Sequence, residues 1–210
     1  MRPLVWLLAA PRVVVTGKTP AAEGGEPMLI VANHVTAYDV PLLLYGLPRA
    51  MRNRSAAAMS GEMLEDFRRG RNLEPRWLNP LGPPAWVLMT ALFNVFPLPR
   101  LRDFQRSFSH AGEALDRGFD VMVFPEGTRS ADGTLAKFRP GIGLLVKQSF
   151  AAVLPMAVVG LGELKTRRRG WFRSGTVEVR VGRPVRFAAS ESEAAITARL
   201  QAEVEKLLEG

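Results

Sequence analysis

The sequence predicts an α/β protein, a single mixed and largely parallel sheet flanked by helices, and three observations carry that prediction. Apolar, β-branched runs recur along the chain and are bounded by Gly, Pro and Asn. Stretches with helical spacing lie between them, so strands and helices alternate. The strands read as near-continuous apolar runs, which is the pattern of a sheet covered on both faces. At 210 residues the chain is long enough for one domain with a substantial core, and residues 1–210 are read as one such unit.

The elements follow in order. "RVVVTG" (12–17) is β-branched and reads as a strand, and "EPMLIVANH" (26–34) as a second. "VPLLLYGL" (40–47) is a short helix in which Pro41 fits only the first turn. Residues 48–82 are rich in Arg, Gly, Pro and Asn and read as a surface excursion. The apolar run 84–94 predicts a core helix, with the lining of an acyl tunnel as an alternative use of "WVLMTALF" (86–93). "NVFPLPR" (94–100) is extended. "DFQRSFSHAGEALDRG" (103–118) places Phe104, Phe108, Ala111 and Leu115 on one helical stripe and stops at Gly118. A strand over 119–127 runs into a turn, 141–151 is helical, and 153–160 and 176–187 are strands, the last two open to an antiparallel arrangement. "SESEAAITARLQAEVEKLLEG" (190–210) closes the chain as an amphipathic helix with acidic residues at its start.

Composition narrows the chemistry. A net charge of +8 favours an anionic partner: nucleic acid, a phosphorylated ligand or an acidic membrane surface. The absence of cysteine excludes disulfides, Cys-ligated zinc and thiol nucleophiles. With only two histidines, His34 and His110, a multi-His metal site is not expected, and no metal residue is assigned. His110 reads as a helix residue rather than a ligand. No run reaches the roughly 20 apolar residues that a membrane span needs.

Two motifs stand out. In "NHVTAYD" (33–39), His34 lies at the carboxyl end of a strand, where open α/β sheets place their ligands. Five residues on a regular helix correspond to about 500° of rotation, so Asp39 reaches His34 only if residues 35–38 turn back. In that arrangement the carboxylate accepts from one imidazole nitrogen and leaves the other as a general base. The alternative is that Asn33 and His34 merely cap a strand and its turn. In "VFPEGTRS" (123–130), Gly127 permits an unusual turn and Arg129 offers a planar fork for phosphate, with N–H groups around Gly127 and Thr128 able to form an anion nest. A tight turn with a solvated Arg is the plainer reading. "KFRPG" (137–141) adds Lys137 and Arg139 before a helix start, and Arg100 closes "FPLPR".

Together the motifs resemble those of the glycerolipid acyltransferases, the family of glycerol-3-phosphate and lysophosphatidic acid acyltransferases. "NHVTAYD" resembles that family's N-H-x-x-x-x-D block, and "FPEGTRS" matches its F-P-E-G-T-R-S block at every position. "NVFPLPR" and "VLPMAVVG" are similar to two further blocks, and the four fall in family order over residues 28–160. The resemblance implies direct acyl transfer from an acyl-CoA or acyl carrier protein (acyl-ACP) thioester to the hydroxyl of a lysophospholipid, with 1-acylglycerol-3-phosphate the leading acceptor. Glycerol-3-phosphate or another lyso-lipid is the runner-up. It implies His34 as base with Asp39 supporting it. Arg100 and Arg129 would bind the acceptor's phosphate, and Glu126 and Gly127 would shape the acceptor pocket. Glu126 would hold an Arg or an acceptor hydroxyl, or serve a purely structural role. Thr128 belongs to the same phosphate-binding set, and local charge adds Lys137. No cofactor beyond the thioester co-substrate is implied. The residues agree: there is no G-x-S-x-G elbow and no cysteine, so a covalent acyl-enzyme is not expected.

Lipid substrates imply a peripheral protein on the cytoplasmic face of an anionic membrane. "MRPLVWLLAAPR" within residues 1–25 reads as a short interfacial anchor. "LKTRRRGWFR" (164–173) sets five basic residues beside Trp171 and Phe172, suited to headgroups or to a solvated hairpin. The segment 60–77 is long for a link between the first two blocks and contacts donor or membrane, or is a disordered excursion. A basic nucleic-acid-binding module is a competing class, but the cations are dispersed and no nucleic-acid motif is present, so nucleic acid is not expected as a partner.

Overall fold

The structure, a computed structural model, describes residues 12–17, 25–36, 39–71, 76–93, 96–98, 104–130, 132–162 and 176–210. Its centre is a seven-stranded sheet in the order β1-β7-β6-β2-β5-β3-β4. The strands are β1 (Arg12–Gly17), β2 (Met28–Ala32), β3 (Ser55–Ser60), β4 (Phe96–Leu98), β5 (Asp120–Val123), β6 (Ala152–Val159) and β7 (Thr176–Val181). From β6 to β4 every pairing is parallel. β7 runs antiparallel to β6 and carries β1 with it as a parallel edge strand. The mixed, largely parallel sheet predicted from the sequence is what forms.

Helices cover both faces: α1 (Asp39–Gly46), α2 (Arg49–Arg54), α3 (Gly61–Arg69), α4 (Gly82–Phe93) after a 3₁₀ turn at Arg76–Leu81, α5 (Phe104–Asp116), α6 (Gly141–Ser149) and α7 (Glu193–Glu209). β2 shows why its run is unbroken. Ile30 and Ala32 point into one core with Leu42, Leu43 and Met51 of α1 and α2, while Leu29 and Val31 point into the other. That second core takes Ala111 and Leu115 of α5, Ile142 and Leu145 of α6, and Ile196, Leu200 and Val204 of α7. All four β2 residues are fully buried, so a period of two leaves no polar face. β7 differs: Val177, Val179 and Val181 are buried, whereas Glu178 and Arg180 lie on the opposite side and pair with each other. Ser192 caps α7 by accepting from the Ala195 N–H.

Four sequence expectations change. Residues 48–82 are not a surface excursion: they hold α2, strand β3 and α3, and β3 is an inner strand between β5 and β4. "SAAAMS" lacks β-branched residues, so strand propensity did not mark it; the buried Ala56 and Ala57 are held there by ladder pairing to Val121 and Met122. The strand at 119–127 ends at Val123, because Phe124 to Gly127 form the turn that builds the site. The strand at 176–187 is regular only to Val181, and Val185 returns as a single bridge to Val153. α4 is not a core helix, since Val87 and Leu88 are more than half exposed. Ala111 and Leu115 occupy the buried stripe expected of α5, while the side chains of Phe104 and Phe108 lie outside the described residues, as do residues 1–11 and 163–175.

Candidate active site

The site forms where β2 and β5 end side by side. β2 stops hydrogen bonding through its backbone at Ala32, and the Asn33 side chain extends the ladder by one step. Its amide donates to the Val158 carbonyl at 3.0 Å and its carbonyl accepts from the Val158 N–H at 2.8 Å. That frees the next residue to leave the sheet. The loop after β5 then grips the backbone of His34 on both sides: its N–H donates to Glu126 Oε1 at 2.6 Å, and its carbonyl accepts from the Ser130 N–H at 2.7 Å. The imidazole stacks on Phe124 with ring centroids 4.3 Å apart. Backbone and ring are both fixed.

Asp39 opens α1 and is fully buried. Its Oδ2 accepts from the Val35 and Thr36 N–H groups at 2.7 and 3.0 Å, and its Oδ1 from the Thr36 hydroxyl at 3.0 Å. These bonds draw the chain after His34 into the turn that the five-residue spacing requires. The same Oδ2 lies 2.8 Å from His34 Nδ1. A carboxylate is an acceptor, so Nδ1 carries the proton and Nε2 the lone pair. The His34 side chain is 17% exposed, enough for the outer edge of the ring to meet a substrate. Asp39 also sits in the first turn of α1, where the helix dipole favours negative charge.

Glu126 holds the backbone of the site. Its carboxylate is buried and bridges two backbone donors, His34 N–H on Oε1 and Ala136 N–H at 2.8 Å on Oε2. Both oxygens are therefore engaged in tying the loop to the base. Burial pushes its pKa upward, opposed by those two backbone bonds and by positive charge on His34 whenever the ring is an imidazolium, while the Asp39 charge adds to the rise. Gly127 takes φ 72°, and a Cβ built there would collide with the Arg139 guanidinium. Arg139 lies over the glycine, donating from Nε to the Glu126 carbonyl at 3.3 Å while its N–H donates to the Pro125 carbonyl at 2.9 Å. The sequence marked Arg139 only as a neighbour of Lys137. Phe124 and Ser130 were equally unmarked as positioning residues, and Asn33 was marked only as a cap, since their partners are distant in sequence. Thr128, Arg129 and Lys137 are exposed on the same loop region, and Arg100 lies outside the described residues. His110 is an exposed residue of α5.

Known proteins resemble the chain in sequence and in fold. A family model described as Acyltransferase matches residues 80–159, a span that includes Glu126 and Gly127. A chloroplastic 1-acyl-sn-glycerol-3-phosphate acyltransferase of Arabidopsis thaliana is 33% identical over 104 residues, covering 48% of this chain and 29% of that protein. The human 1-acyl-sn-glycerol-3-phosphate acyltransferase beta is 27% identical over 162 residues, covering 76% of this chain and 51% of the relative. Over the parts they match, these relatives show that the chain is similar to acyltransferases. The fold is shared with the crystal structure of the 1-acyl-sn-glycerophosphate acyltransferase PlsC from Thermotoga maritima, with a TM-score of 0.70 at 24% identity over 99% of this chain and 75% of that one. The chain spans about half the length, or less, of the curated relatives it matches.

Proposed function

We propose that the protein transfers a fatty acyl group from an acyl-CoA or acyl-ACP thioester to the free hydroxyl of 1-acylglycerol-3-phosphate. The observation that carries this reading is the 2.8 Å pairing of His34 Nδ1 with a fully buried Asp39 at the carboxyl end of β2. His34 Nε2 takes the hydroxyl proton as the oxygen attacks the thioester carbonyl. The tetrahedral intermediate collapses, the C–S bond breaks, and the imidazolium returns the proton to the leaving thiolate. Asp39 offsets the positive charge that His34 carries between those steps. A positioned base of this kind contributes about 10²–10⁴-fold. Alignment of the hydroxyl against an already activated thioester contributes further, with effective molarities of about 10⁵ M and above.

The acceptor's phosphate is assigned to the basic residues around the turn after β5: Arg129 and Lys137 on the exposed loop, with Arg100 as a third cation. Names of the matched relatives support a lysophosphatidate acceptor. No cofactor beyond the thioester is needed, and a backbone N–H is the proposed oxyanion donor. Among the described residues no helix is long and apolar enough to cross a membrane, and the proposed site of action is the cytoplasmic face of an anionic membrane, with peripheral attachment.

The test is purified protein with labelled acyl-CoA or acyl-ACP and a panel of lyso-lipids and glycerol-3-phosphate, read by mass spectrometry. Phosphatidate formed by the wild type, and not by His34→Ala, is the expected result. Free fatty acid without ester product, or full activity in His34→Ala, overturns the assignment.

A further inference from the structure

We propose that the hairpin formed by α3 and α4 is the face by which the protein docks on an anionic lipid bilayer. The inference rests on the reading that its substrates are lipids, and it adds the surface that meets them. Among the described residues five large apolar side chains are strongly exposed, and Leu81, Val87 and Leu88 are three of them, at 54, 56 and 55%. The other two, Val15 and Phe150, stand singly on distant elements, so only here do such side chains gather.

The gathering is regular. Leu81, Pro84, Val87 and Leu88 recur at the three- and four-residue spacing of one helix stripe, and Pro83 and Pro84 are exposed with them. α4 packs on α3 and β3, and Gly82 at its start is buried. α4 is thus held to the protein while presenting the exposed apolar stripe.

Charge chooses the occupant. The C-terminal end of α3 carries Arg68 and Arg69, both more than half exposed and both paired to the single carboxylate of Glu65, with exposed Arg71 just beyond. This basic end borders the apolar stripe. Gly70 takes φ 59°, and a Cβ there would collide with the Asn79 carbonyl and press on Pro83, so the arginine-bearing turn lies directly against the start of α4. Apolar groups rimmed by arginines, on a chain of net charge +8, suit acyl chains below and anionic headgroups around. A second copy of the chain would bring the same arginines together.

Topology places this face usefully. β3 runs parallel to β5 and β5 parallel to β2, so Ser60, from which α3 departs, ends on the same edge of the sheet as Ala32 and Val123. His34 and Glu126 leave from that edge. A bilayer under α4 therefore lies beside the strand ends that hold the base.

The experiment is co-sedimentation of the full 210-residue chain with vesicles of phosphatidylcholine alone or with added phosphatidylglycerol, comparing wild type with Leu81→Asp/Val87→Asp/Leu88→Asp. These positions are exposed, so circular dichroism should be unchanged. The expected result is binding that is stronger on the anionic vesicles and falls about tenfold or more in the triple variant, because three partly exposed apolar groups lose their transfer into lipid. Activity on a short-chain, water-soluble acceptor should be unaffected; if that activity is absent in the wild type as well, the acyltransfer reading fails while the docking result stands. Undiminished binding by the triple variant overturns the proposal. So does a wild-type dimer in lipid-free buffer that the variant breaks, or an altered chain-length preference with unaltered vesicle binding.

Discussion

The sharpest test of the proposed chemistry is Asp39→Asn, because the structure lets it remove a charge while keeping the hydrogen bonds. The asparagine oxygen, placed where Oδ2 stands, still accepts from the Val35 and Thr36 N–H groups and from His34 Nδ1. Its amide nitrogen falls where Oδ1 accepts from the Thr36 hydroxyl, and that hydroxyl can rotate to accept instead. Geometry and tautomer are preserved. The loss is the negative charge opposite an imidazolium that exists only as the reaction proceeds. With charge centres about 4 Å apart and an effective dielectric of about 20, the interaction is about 4 kcal/mol. The difference between a charge-assisted and a neutral hydrogen bond sets a lower figure of about 2 kcal/mol. At 1.36 kcal/mol per decade the expected loss in kcat is roughly 30- to 1,000-fold, with KM for both substrates unchanged. The assay is steady-state release of free thiol from the acyl thioester, with urea denaturation run in parallel. A variant that folds normally and keeps a third or more of the wild-type kcat refutes the role of Asp39. A variant that raises KM alone would move the residue from catalysis to binding.

Gly127→Ala places a Cβ on the Arg139 guanidinium and costs about 1 kcal/mol for the left-handed backbone besides. We expect about a tenfold fall in kcat/KM, partly restored in Gly127→Ala/Arg139→Ala, as measured by the same thiol-release assay; no recovery would disconnect the two residues. Arg54 donates to Asp120 at 2.7 Å, and Asp120 is fully buried with Met28 N–H as its other partner at 2.9 Å. Arg54→Met strands that charge and should destabilise by about 3 kcal/mol, lowering Tm by roughly 6–12 °C in a thermal scan while activity at 25 °C persists. Glu126 has a folded-state pKa held above 4.5 by burial. Its protonated form therefore favours the folded protein, and this contribution is full below 4.5 and lost as pH rises through the folded value. Glu126→Gln lacks that slope, so urea midpoints taken from about pH 4 to 7 should show the wild type losing stability relative to the variant as pH rises. A constant gap would show that the carboxyl is not desolvated.

The sequence alone determined the class of sheet and singled out the pair, His34 and Asp39, that the structure brings to 2.8 Å. Both are written in short-range patterns. An unbroken apolar run such as "MLIVA" states that both faces of a strand are covered, and the proposed base and its carboxylate both lie within the seven residues from Asn33 to Asp39. The bonds that join His34, Val35 and Thr36 to Asp39 lie within that stretch, so spacing could specify the turn. Tertiary structure decided the rest. "SAAAMS" becomes an inner strand because β5 offers it a ladder, not because alanine prefers to be extended. Glu126 buttresses His34 because the loop after β5 meets the backbone of His34, 92 residues away in sequence. Asn33 finds Val158, and Arg54 finds Asp120, across similar distances. A residue's own neighbours record its propensity and its periodicity. They hold no trace of which far segment the fold brings alongside, and that contact decides whether a carboxylate touches substrate or holds the residue that does.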